Sequence, residues 1–486
     1  MEPLAVSEAP VRPGSLLRGL RSAVSRPGLA GSLAALAVSA AVSRAVTFVT
    51  IAYTARVLGR EAFGLLNFGQ SLAAYASILV GPGLLVWGTR AIARRSQMAA
   101  DYLLVINLVQ LALAAISYLC LVGVAHLFFQ PAEQRMAIFA GVGLFAIAAS
   151  VDWAGQGLER FRQVGAAQVT GSLAALLLTV LFVRSAADVY RVPLTLAAGQ
   201  IAGAATLLGL LIGQRALPRL RREFGAVPAM LRAALPLGAT VAMVTVLHYA
   251  NSLYLEFFRG AGELGIFAAA YRLVEVLTFV PGIVSSVFLP RLARGFAEDR
   301  PAALIDLRRY IRLVMSLGFL PAVFFAVEPG PLVSLVYGPD FAASAPVVAV
   351  FAVAVLFNFA AVAYINALLG MGRDRGYVTS ISAALVVSVV GGLLTVPRYG
   401  LWGATTTVAV LDLVTWLAAL PFCLRAAGSL FLAEWVRPLA AALVTGLLLA
   451  AGRSVGLPFL VAAPLACAAY LVLVVRWSAL RTALLG

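Results

Sequence analysis

The fold class predicted by this 486-residue sequence is an all-α integral membrane protein: about fourteen transmembrane helices, arranged as two parallel-repeat six-helix lobes around a central cavity, with two extra C-terminal helices. Three observations predict it. The mean hydropathy is +0.98. Apolar runs of about 20 residues, the length that crosses a ~30 Å hydrocarbon core, recur from Gly31 to Trp477. A motif of glycines and arginines at residues 55–70 returns 201 residues later in the same setting.

Backbone in lipid must satisfy its hydrogen bonds within a helix or a closed barrel. The apolar runs here are continuous rather than alternating, which selects helices over barrel strands. The expected spans are 31–53, 66–88, 103–128, 136–154, 165–183, 193–213, 234–257, 264–289, 313–336, 345–369, 377–396, 401–424, 436–452 and 457–475. They divide the chain into a basic leader (1–30), an N-terminal lobe (31–215), a C-terminal lobe (216–424) and a C-terminal pair of spans (425–486).

The net charge of +16 comes with no lysine, so all 36 basic residues are arginines. With the N-terminus in the cytoplasm, 26 arginines fall in inside segments (counting Arg437 at the inside edge of span 13), eight in outside loops, and Arg44 and Arg272 deep within spans. This skew follows the positive-inside rule, and an even span count returns the C-terminus to the cytoplasm. The basic excess therefore reads as topology and contact with anionic lipid, not nucleic-acid binding. In the leader, arginines sit among leucines in "GSLLRGLRSAVSR", as in a helix lying on the membrane surface. "ALAVSAA" resembles a signal-cleavage site, but the apolar run continues to Tyr53. Cys120, Cys423 and Cys467 lie in spans without a CxxC pair and read as packing residues. Two histidines, His126 and His248, exclude a histidine-rich metal cluster. No P-loop, catalytic-triad signature or soluble segment long enough for an enzyme is present.

The repeat is positional. At an offset of 201, Gly59 falls on Gly260, Gly64 on Gly265 and Arg90 on Arg291. Each set marks the end of one span, a short turn, the next span, and an arginine at its inside end. Glycine suits such a joint because it accepts positive φ and lets helices approach closely. An offset of six spans keeps orientation, so spans 1–6 and 7–12 are parallel repeats about an axis along the membrane normal; such lobes enclose a path that rocks between two openings. Breaks at "GPG" (Pro82) and "PG" (Pro281) follow the two joints and suit bent, gating helices.

Ionisable groups within the membrane cost at least ~2.5–3.5 kcal/mol on insertion scales and mark cavities or partners. Arg44 is the charge deep in span 1. Ser39, Ser43, Thr47, Thr50 and Thr54 form one helical face beside it, so it reads as lining a cavity or as a packing arginine held by a neighbour. Arg272 and Glu275 are neighbours on span 8, either a self-neutralising pair or a cationic site tuned by the carboxylate. Thr245, His248, Ser252 and Glu256 follow one side of span 7, with Asn251 nearby. Asp152, Gln156, Glu159 and Gln163 make a stripe at the end of span 4, and Asp152 is the candidate partner for a buried arginine. Asp412 in span 12 reads as structural.

Three stretches then resemble the polysaccharide flippases of the multidrug/oligosaccharidyl-lipid/polysaccharide exporter superfamily: "ARVLGREAFGLLNFGQSLAAYASILVGPGLLVWGTRAIAR" from Ala55, "DWAGQGLERFR" from Asp152 and "PRYGLWGATTT" from Pro397. The span layout is similar too. The resemblance implies a non-enzyme that moves polyprenyl-pyrophosphate-linked oligosaccharide from the cytoplasmic to the outer leaflet by alternating access. It implies a bacterial inner-membrane location and a cationic cavity lined by spans 1, 2, 7 and 8. Arg44 and Arg272 fall in those spans, and arginine's planar fork suits phosphate. Arg272, Arg44, Glu275, His248, Asn251 and Thr47 are the candidate cavity residues. No cofactor is implied. A proton or sodium gradient is the candidate driving force, with Glu275, His248 and Asp152 as carriers. Candidate partners are membrane lipids and the glycan polymerase and glycosyltransferases of the same pathway. A lipid II flippase or a multidrug exporter on the same fold, a glycan-transferring enzyme and an envelope scaffold are the alternative readings.

Overall fold

The computed structural model describes residues 29–218, 227–428 and 430–484; the surface-helix expectation for the leader lies outside the described residues, as do Arg219, Arg221 and Arg222. Among the described residues every regular element is helical. Twelve helical stretches are long and apolar enough to span a membrane, and Phe459–Val474 is a shorter one. The first of the twelve, Ala35–Val80, contains two spans, because Gly59 (φ 71°, ψ 175°) breaks helix α1 (Leu29–Ser77). The molecule is a multi-pass membrane protein with about the expected number of spans.

In the N-terminal lobe, α1 gives way at Gly81 (φ 81°) to α2 (Pro82–Arg94), so span 2 does break at the glycine-proline-glycine triplet. Then come α3 (Ala99–Phe128), three short pieces α4 (Pro131–Gly141), α5 (Gly143–Ala148) and α6 (Asp152–Gly157), and α7 (Phe161–Phe182) and α8 (Val192–Gly213). The C-terminal lobe begins with α9 (Val227–Arg259) and α10 (Ala261–Glu298), which meet at Gly260 (φ 86°). It continues through α11 (Arg300–Val327), α12 (Pro329–Tyr337), α13 (Ala345–Gly370), α14 (Asp374–Val386), α15 (Gly392–Tyr399) and α16 (Leu401–Ala427). Helices α17 (Val436–Ser454) and α18 (Phe459–Leu484) complete the chain.

Three local expectations change. The polar stripe of span 4 does not exist as one face: Asp152 and Gln156 lie on α6, Glu159 takes a left-handed φ of 57°, and Gln163 belongs to α7. Span 9 ends at Val327 rather than running on to 336, because Glu328 precedes a proline and leaves the helical region (φ −125°). No break occurs at Pro281; α10 is one helix across it and across Pro290.

The two joints pack on each other. A Cβ on Gly64 would run into the carbonyl of Ala261, and one on Gly265 into the carbonyl of Arg60. The repeated glycines are thus one crossing point where the helix after each joint touches the other backbone to backbone. Phe63–Phe341 (5.8 Å between centroids) and Phe68–Phe257 (5.9 Å) add edge-on aromatic contacts across the lobes at this end. At the opposite end of the lobe interface, Gly83 lies against the Ala234 carbonyl and the Gly238 amide of α9. The lobes therefore touch at both ends. The C-terminal pair sits on the C-terminal lobe: Arg312 pairs with Glu434 at 2.6 Å, Trp435 packs 5.2 Å from Trp416, and Tyr470 Oη donates to the Ser316 carbonyl at 2.8 Å.

Arg56 ties the lobes at the joint end. Its Nε donates to the Val336 carbonyl at 2.8 Å, and Nη2 to that of Leu335, so one guanidinium caps the last turn of α12. A cation there satisfies otherwise orphaned carbonyls and opposes the helix dipole. Such a bond is worth ~1.5–3 kcal/mol. Arg56→Ala should therefore speed amide exchange over residues 335–345 by about tenfold or more, read by hydrogen–deuterium exchange mass spectrometry. Unchanged protection would mean that the contact holds nothing.

Candidate functional site

The site grows from one side chain. Arg272 sits about three turns past the start of α10 that Gly260 sets, on the face turned to the N-terminal lobe. Its Nη1 donates to Glu275 Oε2 at 2.6 Å. Its Nη2 reaches across the lobe interface to Asn67 Oδ1 at 3.0 Å and Gln70 Oε1 at 2.7 Å on the second arm of α1. Asn67 is held in turn by its own bond to the Phe63 carbonyl at 2.8 Å. The guanidinium is mostly buried, with 15% of the side chain exposed against 31% for Glu275. An arginine has five N–H donors, and three are engaged here. The ion pair expected between Arg272 and Glu275 forms, and it is one corner of an inter-lobe network.

Arg272 lines a cavity of ≈ 430 Å³ together with Gln70, Ser77, Gln200, Thr245 and Tyr249. A narrow crevice continues from it past His248, Ser252 and Glu275. His248 is exposed, and its Nδ1 lies 2.9 Å from the Val244 carbonyl. Arg272, Glu275 and His248 thus converge.

The other candidates take separate contacts. Arg44 stands with its guanidinium 5.2 Å from the ring of Phe279, one turn beyond Glu275 on the same face of α10. It meets the helix that carries Arg272, and the linings of the cavities described here do not include it. Among the described residues no arginine pairs with Asp152; its carboxylate accepts from Gln168 Nε2 at 3.2 Å. Asp152 and Thr47 line a second cavity of ≈ 490 Å³ that adjoins the first. The hydroxyl face of span 1 splits: Ser39 packs on Gly165, Ser43 donates to the Gln168 carbonyl at 3.2 Å, and Thr50 and Thr54 are buried. Asn251 is buried against Gly392 of α15, away from both cavities. Arg90 and Arg291 are exposed near the ends of α2 and α10 remote from the joints.

Sequence reasoning missed Asn67, Gln70 and Tyr249. A signal existed for the first two. Two amides three residues apart inside an apolar span must each find a partner, because an unpaired amide in hydrocarbon is costly. Weighing charged residues alone passed over them.

The helical fold is shared with several solved structures. The lipid II flippase MurJ in its inward closed conformation aligns with a TM-score of 0.73 at 12% identity, covering 93% of this chain and 99% of that one. An inward-facing multidrug resistance MATE family transporter of the MOP superfamily gives 0.60 at 16% identity, covering 82% and 95%. A MOP superfamily transporter from Pyrococcus furiosus gives 0.55 at 14%, covering 82% and 96%. At these identities the likeness is one of fold. In sequence, a Shigella dysenteriae protein assigned as an O-antigen transporter is 25% identical over 252 residues, 51% of this chain. The chain spans 63% of that protein's length. The family model described as polysaccharide biosynthesis protein matches residues 29–296, which takes in the first joint, the second joint and Arg272. The chain that builds this inter-lobe site is therefore a member of the polysaccharide biosynthesis protein family.

Proposed function

We propose that the protein is a flippase that moves polyprenyl-pyrophosphate-linked oligosaccharide across a bacterial inner membrane, with both termini in the cytoplasm and the two joints facing outward. The observation that carries the proposal is Arg272, a largely buried cation at the wall of a cavity between two lobes. Its remaining N–H donors suit an anionic diphosphate, because charge-assisted bonds from a planar guanidinium are strong and directional. Amide and hydroxyl groups nearby suit a polar glycan, and the polyprenyl tail stays in lipid. A drug exporter for cations is the weaker fit, since the cavity presents a guanidinium. Alternating access follows from the two contact points: opening at Gly83 admits cargo from the cytoplasm, and opening at Gly64 and Gly265 releases it outside. Glu275 and His248 beside the arginine are the groups through which a proton or sodium gradient would act on it. Glycosyltransferases and a polymerase of the same pathway are the proposed partners.

The test is the leaflet distribution of polyprenyl-linked oligosaccharide in cells lacking the protein, read with a membrane-impermeant glycan probe. Accumulation on the cytoplasmic face, reversed by the wild-type chain, is expected. An unchanged distribution would overturn the proposal.

A further inference from the structure

A cavity between the lobes adjoins one of similar size inside the N-terminal lobe, and their chemistry differs. The first, ≈ 430 Å³, carries Arg272. The second, ≈ 490 Å³, is walled by Ser43, Thr47, Ser150, Asp152, Gln168 and Gln200 among small and aliphatic side chains, with no basic residue in its lining. Both volumes fall in the ~300–1,000 Å³ range of ligand sites. The two share Ile147, Leu196 and Gln200 as a common wall, so they are neighbours around one amide.

The second cavity is a consequence of close helix packing. Gly171 on α7 faces Gly199 and Gly203 on α8, and a Cβ on Gly171 would sit 2.9 Å from the Gly199 carbonyl. Small residues draw the two helices together, and the polar groups of α1, α6, α7 and α8 surround the space left beside them. These groups are acceptors and two-way donors. A carboxylate offers about four lone-pair sites, and an amide offers both donors and acceptors. Asp152 gives one of its sites to Gln168 at 3.2 Å. A ring bearing several hydroxyls, each a donor and an acceptor, matches such a lining, and the aliphatic walls match its apolar faces. An acidic sugar does not match, because it would meet Asp152 with no cation to offset the repulsion.

We infer that this second cavity is a glycan subsite that takes uncharged sugar residues next to the diphosphate, while Arg272 holds the anionic group in the adjoining cavity. The inference rests on the flippase reading above and adds to it where the sugars sit and of what charge they are.

The full chain in lipid nanodiscs distinguishes the two. One probe is polyprenyl pyrophosphate without sugar; the second carries a neutral trisaccharide; the third carries a trisaccharide with a uronic acid. Wild type should bind the neutral glycan-lipid about tenfold or more tighter than the bare lipid, the effect of one or two added hydrogen bonds. Gln168→Leu with Ser150→Ala, both in the lining of the second cavity alone, should erase that gain and leave bare-lipid binding within about twofold, which also reports that the variant is folded. The same-sized Asp152→Asn should cut the gain at least threefold. A gain that survives in both variants overturns the subsite and leaves the flippase reading standing. Equal binding of the acidic and neutral glycan-lipids overturns the assignment of uncharged sugars. Failure of wild type to bind any of the three overturns the subsite and the flippase reading together.

Discussion

Arg272→Ala should reduce glycan export to background, at least about a hundredfold below wild type, while the protein still accumulates in the membrane. The magnitude follows from what the side chain does at once. It supplies the positive charge at the wall of the ≈ 430 Å³ cavity, and it bonds Glu275, Asn67 and Gln70. Each bond to a charged group is worth ~1.5–3 kcal/mol, so losing two of them costs a factor of about 100 or more. Glu275 would also be left without its partner, which adds a penalty reduced by its partial exposure. Arg272→Lys separates charge from geometry. A lysine keeps the charge but not the rigid fork that reaches both lobes, so intermediate export is expected. Arg44→Ala should do less. Its contact with Phe279 is a cation–π pair, worth ~0.5–2 kcal/mol. The impermeant glycan probe measures all three, with membrane fractions quantified alongside. Normal export from Arg272→Ala would remove the cationic site from the mechanism.

Gly64→Ala and Gly265→Ala should each shift the lobes towards opening at the joints, and together they should lock that end open. At this crossing the added methyl meets carbonyls of Ala261 and Arg60, which are backbone and cannot rotate aside. Overpacking of this kind costs ~1–3 kcal/mol per site. The cost falls on the closed arrangement alone, so one substitution moves the equilibrium by about 5- to 150-fold. Gly262→Ala is the control, because nothing lies within 4 Å of a Cβ there. Spin labels at the exposed positions Glu61→Cys and Phe258→Cys, in a chain whose native cysteines are replaced by alanine, report the separation by electron–electron double resonance. A longer distance in Gly64→Ala than in Gly262→Ala, with reduced export, is expected. Identical distances in the two would mean that the crossing is not a closure.

The legible part of this site was the part that is local. Arg272 stands out because a charge inside an apolar span is rare whatever surrounds it. Gly59 and Gly260 stand out because their joints need a backbone that other residues resist, and both take positive φ. Asp152 was visible as a charge, yet its partner was not. The break of span 4 into α4, α5 and α6, with Glu159 in a left-handed conformation, carried it away from any stripe and beside Gln168. The helix-ending proline at 329 was readable from the bias on the residue before it, and the span ran past it only because hydropathy stayed high.

Hydropathy, arginine placement and the 201-residue recurrence are sums over the chain itself, and they determined a multi-span helical membrane protein with a doubled joint. Only the tertiary structure decided that the two joints touch, that Arg272 bonds amides 205 and 202 residues away, and that Arg44 stands over the ring of Phe279. The reason is physical. Whether a residue enters lipid or a turn depends on its own transfer and torsional energies. Which partner it meets across the lobes depends on how closely two helices pack, and here that is fixed by glycines facing glycines on different halves of the chain.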